Sequence, residues 1–333
     1  MKQLIIPVVT PGGIPSENAL QQLDPQTLTG DIICQGEDGA TCTRHVIHGV
    51  PQEFHDAYRA LLATFREAAS GILACGTTGE GPVFGPLQYG SILRSIRDAC
   101  PENIRIYAGL LGGDTMVGEQ ANIAQALGIT HLVLGLNHTR DNVARFRAVM
   151  ECLDPASRLI LYNLPTFPPA DKKFVRSCLD TDPRVAGFKD SSGILKYFLW
   201  LLSLQDQYPG FQVFHGSEEG YEKLSREDLS CASGLVAGNA NPHPGLLRAF
   251  MNNPTHAEIR AARSGIHDDL DSLSSRPVNN AAERIERHIN GLKLRFSQIP
   301  IHPNNPDVKI FHPHQTGLHV SRTGGLFDTY VSG

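Results

Sequence analysis

One feature constrains the fold of this chain above all others. Short apolar runs recur eight times, at about 4–9, 71–76, 104–109, 131–135, 158–163, 185–189, 211–215 and 233–238. They are continuous rather than alternating, as expected of strands covered on both faces in a parallel sheet. Helical patterns fill the intervals, at 51–69 and near 87–99, 115–127, 140–153, 171–179, 194–205, 218–228 and 243–252. The first has Pro51 in its opening turn and places Phe54, Tyr58, Leu61, Leu62 and Phe65 on one face. Eight strands with helical crossovers predict an α/β chain closed into a (β/α)8 TIM barrel. An open doubly wound sheet is the alternative. No Gly-x-Gly-x-x-Gly follows the first strand, which speaks against a nucleotide-binding version of it.

Two regions break the rhythm. A long insertion, 12–50, separates the first strand from its helix and far exceeds a usual βα loop. Within it, residues 31–47 read as a hairpin turning at Asp38-Gly39. In a barrel this insertion stands on the C-terminal face, where βα loops carry function. The barrel with its insertion is expected to occupy 1–252. A C-terminal extension follows over 253–333, helical to about 297 and then irregular, rich in Pro, His and Gly.

Charge and sulfur narrow the setting. The chain holds 29 Lys and Arg against 34 Asp and Glu, a net charge of −5, which disfavours nucleic acid or an anionic membrane as partner. No apolar run approaches the roughly 18 residues of a membrane helix. The N-terminal apolar stretch is too short for a secretory signal. Seven scattered cysteines do not form a disulfide framework. A reduced, cytoplasmic protein is expected.

Chemistry collects where the strands end. Strand two ends in Gly76-Thr77-Thr78-Gly79-Glu80, a turn whose hydroxyls and N–H groups suit a carboxylate or phosphate. A plain turn is the alternative. Strand five ends in Tyr162-Asn163-Leu164-Pro165, and a tyrosine there is placed to move a proton, or simply to pack. Strand six ends in Phe188-Lys189-Asp190-Ser191-Ser192-Gly193. Lys189 is the one lysine of eight embedded at the end of an apolar strand. Burying an ammonium is costly unless it is paired or neutral, and a neutral amine is the nucleophile that forms imines. A salt bridge to Asp190 is the structural alternative. Strands seven and eight add Ser217, Glu218, Val236 and Gly238 to the same mouth.

Taken together, these segments resemble the dihydrodipicolinate synthase/N-acetylneuraminate lyase family of class I, Schiff-base aldolases. The resemblance rests on Val9-Thr10-Pro11, the turn 76–80, Tyr162-Asn163-x-Pro165 and Gly187-Phe188-Lys189-Asp190-Ser191-Ser192-Gly193. Gly216-Ser217-Glu218 and Gly234-x-x-Ala237-Gly238-x-x-Asn241-x-x-Pro244 complete it, in family order over about residues 1–250. It implies a barrel, usually in a homo-oligomer (tetramer or dimer), acting on small 2-oxo acids and aldehydes, typically pyruvate. It implies no cofactor beyond a covalent lysine imine. By position, Lys189 matches the imine lysine and Tyr162 the tyrosine that relays protons. Thr77, Thr78 and Gly79 match the carboxylate site, and Val236 and Gly238 the lining of the imine site.

Departures from the family pattern narrow the substrate. Strand four of many members is followed by an aromatic cluster with a relay tyrosine; here the place reads Gly135-Leu136-Asn137-His138. In the lysine-pathway synthases an arginine follows Tyr-Asn-x-Pro; here Thr166-Phe167 stands there, and an aromatic ring does not replace a bidentate cation. Phe167 resembles the sugar-acid branch, and Ser217 and Glu218 offer hydrogen bonds to substrate hydroxyls. The expectation is an aldolase that cleaves a 4-hydroxy-2-oxo acid, of the 2-keto-3-deoxy sugar acid type, to pyruvate and an aldehyde. A dehydratase or synthase using the same imine is one alternative, and a non-catalytic 2-oxo acid binder another. A metal enzyme is disfavoured, because His45/His48 and His312/His314 lie in irregular segments rather than at strand ends.

Overall fold

Eight parallel strands form a closed barrel in the computed structural model. The structure describes residues 2–10, 17–23, 30–35, 41–136, 141–165, 167–272, 292, 300–302 and 305–309; for 30–35, 41–47, 226, 266–272 and 300–309 it describes the backbone alone. The barrel strands are β1 Gln3–Pro7, β2 Gly71–Ala74, β3 Arg105–Leu110 and β4 His131–Leu136, then β5 Arg158–Asn163, β6 Val185–Asp190, β7 Gln212–His215 and β8 Gly234–Val236. Each lies within a residue or two of an expected apolar run. Neighbours follow chain order, and β8 closes on β1 with Leu4 opposite Leu235. The open-sheet alternative is thereby excluded.

Alternation along each strand divides the core in two. One set of side chains packs outward against the helices, with Leu4, Ile72, Leu132, Leu159, Leu161 and Phe188 among them. The other fills the barrel interior, with Ile5, Leu73, Tyr107, Val133, Ile160 and Phe214. Local chemistry starts the helices. Asp141 accepts from Val143 N and Ala144 N, each at 3.0 Å, at the head of Asn142–Cys152. Asp171 does the same for Lys172–Thr181, whose buried Val175, Cys178 and Leu179 sit at helical spacing. The expected helix at 218–228 is two short helices, Glu218–Glu222 and Arg226–Cys231. The break has a cause: Ser225 and Asp228 form a capping box that restarts the helix.

The insertion contains the expected hairpin. Strand Gly30–Gln35 pairs antiparallel with Thr41–Ile47, and Val50–Pro51 extends the sheet. Its turn at Asp38-Gly39 lies outside the described residues. A short helix, Glu17–Gln21, precedes the hairpin and reaches across to the barrel. Glu17 accepts from Leu87 N at 2.9 Å and Gln88 N at 3.1 Å, capping the helix Pro86–Ala99 from 70 residues away. Beyond the barrel, Pro244–Asn252 and Ala257–Ser272 are helical. Whether helix continues to about 297 falls outside the described residues, as does the tail past 309. Among the described residues no helix is long and apolar enough to cross a membrane.

Candidate active site

The alternation that builds the interior also places the reactive groups. On β5 and β6 the inward positions include Ile160, Tyr162 and Lys189, while Leu161 and Phe188 point to the helices. Tyr162 and Lys189 are register partners across the two strands. Lys189 Nζ sits 3.7 Å from the centroid of the Tyr162 ring, and both residues are buried. Beneath it the barrel is apolar, walled by Leu73, Val133, Ile160, Phe214 and Val236 with the ring of Tyr107. A ring face offsets only part of an ammonium's lost hydration.

The structural alternative for Lys189 is a salt bridge to Asp190, and the geometry refuses it. Successive residues of a strand face opposite ways, so Asp190 points out of the barrel. Its carboxylate accepts from Asn163 Nδ2 at 2.9 Å, Ser192 N at 3.2 Å and Ser192 Oγ at 3.1 Å. Burial nonetheless raises the Asp190 carboxyl above its ordinary range. Lys189 thus stands in an apolar chamber with a phenol ring as its close neighbour.

The turn after β2 is tightly shaped. Cys75 and Glu80 bracket it with left-handed backbones, φ 49° and 56°. Glu80 N donates to Thr77 O at 3.1 Å and Gly81 N to Gly76 O at 3.0 Å, closing the loop on itself. A Cβ at Gly79 would stand 2.7 Å from Val8 O, so glycine permits the close approach of the turn to the end of β1. Thr10 Oγ1 donates to Gly79 O at 2.6 Å from the same strand end. The turn is thereby aimed inward: Thr77 Oγ1 lies 3.3 Å from Tyr162 Oη. Thr78 stays partly exposed beside it.

The remaining expected residues distribute around the mouth. Phe167 packs on the interior cluster and Val236 belongs to it, whereas Gly238 opens the turn Gly238–Ala240. Ser217 is engaged as a cap, accepting from Gly220 N at 3.0 Å. Glu218 is buried and accepts from Asn239 Nδ2 at 2.7 Å. His215, which ends β7, is buried on Phe198 with ring centroids 4.5 Å apart and accepts from Ser217 N at 3.1 Å. Burial drives its pKa down to about 4. Thr166, Asn137 and His138 lie outside the described residues.

Several supporting residues had no assigned role in the sequence. Asn241 donates from Nδ2 to Pro7 O at 2.9 Å and to Gly238 O at 2.8 Å, lacing the ends of β1 and β8 together. Asn163 braces Asp190 on one side and Ala170 N on the other, each at 2.9 Å. Asn163 stood in the Tyr162-Asn163-x-Pro165 motif without a role of its own, and Asn239 had no signal. Among the described residues, no group of three or more His, Cys, Asp or Glu side chains is placed to hold a metal ion.

Comparison with known proteins adds independent findings. The model of the dihydrodipicolinate synthetase family matches residues 56–285. An uncharacterized DapA-like lyase of Chloroflexus aurantiacus is 26% identical over 247 residues, covering 69% of this chain and 80% of that protein. A 4-hydroxy-tetrahydrodipicolinate synthase of Stenotrophomonas maltophilia is 28% identical over 213 residues, covering 62% of this chain and 67% of its own length. Among solved structures, dihydrodipicolinate synthase from Bacteroides thetaiotaomicron superposes with a TM-score of 0.66 at 17% identity, covering 99% of this chain and 98% of the other. At such identity the structural likeness speaks for the fold.

Proposed function

Because the chain belongs to the dihydrodipicolinate synthetase family, whose members are lyases that form a Schiff base with pyruvate, we propose that it is a class I aldolase working through Lys189. Its substrate is a 4-hydroxy-2-oxo acid of the 2-keto-3-deoxy sugar acid type. The amine of Lys189 adds to the C2 carbonyl, and the Tyr162 phenol gives its proton to the departing C2 hydroxyl, so that water leaves and a protonated imine faces a phenolate. Thr77 and Thr78, with the N–H groups of their turn and of Gly79, hold the C1 carboxylate. The Tyr162 phenolate then takes the proton of the C4 hydroxyl as the C3–C4 bond breaks. The bonding pair flows into the imine, the aldehyde departs, and an enamine remains on Lys189. Protonation at C3 and hydrolysis release pyruvate and restore the amine. The lysine is the only cofactor the sequence of steps requires, and the protein works as a homo-oligomer.

The observation that carries this reading is the contact between Lys189 and Tyr162, extended by Thr77, inside an apolar chamber. Phe167, packed at the mouth, supports a substrate without a second carboxylate at that wall. Ser217 and Glu218 supply polar groups on the opposite loops for the hydroxyls of the distal half. Val236 lines the chamber beside Lys189, and Gly238 opens the turn that follows it. The synthase names of several relatives favour a second reading, a condensation or dehydration built on the same imine. That reading needs a cation for the second carboxylate in place of Phe167.

Borohydride reduction in the presence of pyruvate, followed by peptide mass spectrometry, tests the proposal. Wild-type protein is expected to carry a reduced adduct on Lys189, and folded Lys189→Ala protein none. An adduct on another lysine, or none on folded wild-type protein with any 2-oxo acid, refutes it. Release of pyruvate from 2-keto-3-deoxygluconate, weighed against turnover with pyruvate and aspartate semialdehyde, then separates the two substrate branches.

A further inference from the structure

The segment between β5 and the helix Lys172–Thr181 carries Phe167 to the mouth of the barrel. Its near end is fixed by the barrel itself: Leu164 is buried in the interior cluster, and Phe167 N donates to Leu164 O at 3.4 Å. At its far end side chains take both polar backbone groups of one residue. Ala170 N donates to Asn163 Oδ1 at 2.9 Å. Ala170 O accepts from Tyr197 Oη at 2.9 Å.

Neither brace is a casual surface contact. Asn163 is 2% exposed and both ends of its amide are engaged, because Nδ2 reaches Asp190 Oδ1 at 2.9 Å while Oδ1 serves Ala170. Asp190 is in turn fixed by Ser192, so the chain of bonds begins at the residue next to Lys189. Tyr197 comes from the helix after β6, with its ring against Phe188 and Trp200. Burial raises the Tyr197 phenol above its ordinary pKa and keeps it an O–H donor. One chain of bonds therefore joins Asp190, beside Lys189, to the segment that follows the neighbouring strand.

Resting on the reading of Lys189 as the imine lysine, we infer that Asn163 and Tyr197 are positioning residues that clamp Ala170 and so set Phe167 as the wall selecting the part of a 2-oxo acid beyond C3. Among the described residues of that segment, Phe167 and Leu164 are the large side chains that reach the interior cluster. A wall held by hydrogen bonds at one end moves when a bond is lost, whereas the carboxylate turn after β2 lies on other strands. The clamp thus governs discrimination between long and short acids and leaves the imine step itself untouched.

The test is a competition. Pyruvate and 2-oxohexanoate are offered together with borohydride, and the two adducts on Lys189 are counted by mass spectrometry. Tyr197→Phe keeps the ring packing and removes one brace; Phe167→Ala removes the wall itself. Both variants are expected to raise the ratio of long to short adduct at least about 5-fold over wild type, the size of one lost hydrogen bond. In Tyr197→Phe the rate of pyruvate trapping alone is expected to stay within about 2-fold. A lowered Tm with an unchanged ratio in Tyr197→Phe marks a merely structural bond and overturns the inference. A changed ratio in Phe167→Ala but not in Tyr197→Phe leaves the wall and removes the clamp. No adduct from either acid on wild-type protein refutes the imine, and the inference falls with it.

Discussion

Gly79→Ala isolates the contribution of one backbone approach to the reaction. The new Cβ would stand 2.7 Å from Val8 O and 3.3 Å from Cys75 N, and real Cβ contacts do not fall below 3.0 Å. Both obstacles are backbone, so no side chain can swing aside. Widening 2.7 Å to 3.0 Å moves the turn or the end of β1 by about 0.3 Å. The turn carries Thr77, whose Oγ1 is already 3.3 Å from Tyr162 Oη. A like displacement takes that contact to about 3.6 Å, past the range of a hydrogen bond. Losing a neutral hydrogen bond costs about 0.5–1.5 kcal/mol, which is about 2- to 12-fold in rate at 1.36 kcal/mol per factor of ten. Overpacking adds a stability loss of about 1–3 kcal/mol, or a few degrees in Tm. Steady-state pyruvate release and thermal unfolding measure the two effects. Gly245→Ala, where a Cβ meets nothing within 4 Å, is the control and is expected to leave both unchanged. Wild-type kcat and Tm in Gly79→Ala would refute the idea that this approach aims Thr77.

Two further outcomes are expected. Tyr162→Phe should lower kcat by about 10²-fold while still forming the pyruvate adduct on Lys189, because the ring remains and only the relay is lost; kinetics and trapping on one preparation check this. Acid should weaken the fold through His215, whose pKa falls from its ordinary 6.5 to about 4 on burial. The unfolded chain then binds a proton that the native chain does not, so stability is complete above about 6.5 and is lost as pH falls toward 4. Between pH 7 and 5 the loss is about 2 kcal/mol, and denaturant unfolding of wild type and His215→Gln should differ in that slope; parallel pH profiles would discard the assignment.

The barrel itself was legible in the chain. Continuous runs such as Arg158–Asn163 and Val185–Asp190 declare strands covered on both faces, and periodicity depends only on the local sequence. Lys189 was legible for the same reason, as a charge at the end of an apolar strand. The helix break at Ser225 was harder to see, since a capping box competes with amphipathic spacing across the same few residues.

Other features depend on which residues meet, and no local pattern encodes a meeting. The sequence offered Asp190 as a partner for Lys189; strand alternation and Asn163 turned it outward. It offered Ser217 as a hydrogen-bonding group for substrate hydroxyls, and only the fold shows that its oxygen also caps a helix. The cap from Glu17 to the helix Pro86–Ala99 joins segments that periodicity treats as unrelated. Thus the sequence by itself determined the strands, their parallel order and the lysine among them, because burial on two faces leaves a mark on every residue of a strand. The tertiary structure alone decided how Lys189 meets Tyr162, because the register of β5 on β6 sets its amine over the ring at 3.7 Å, and side chains 27 residues apart carry no local signal for that contact.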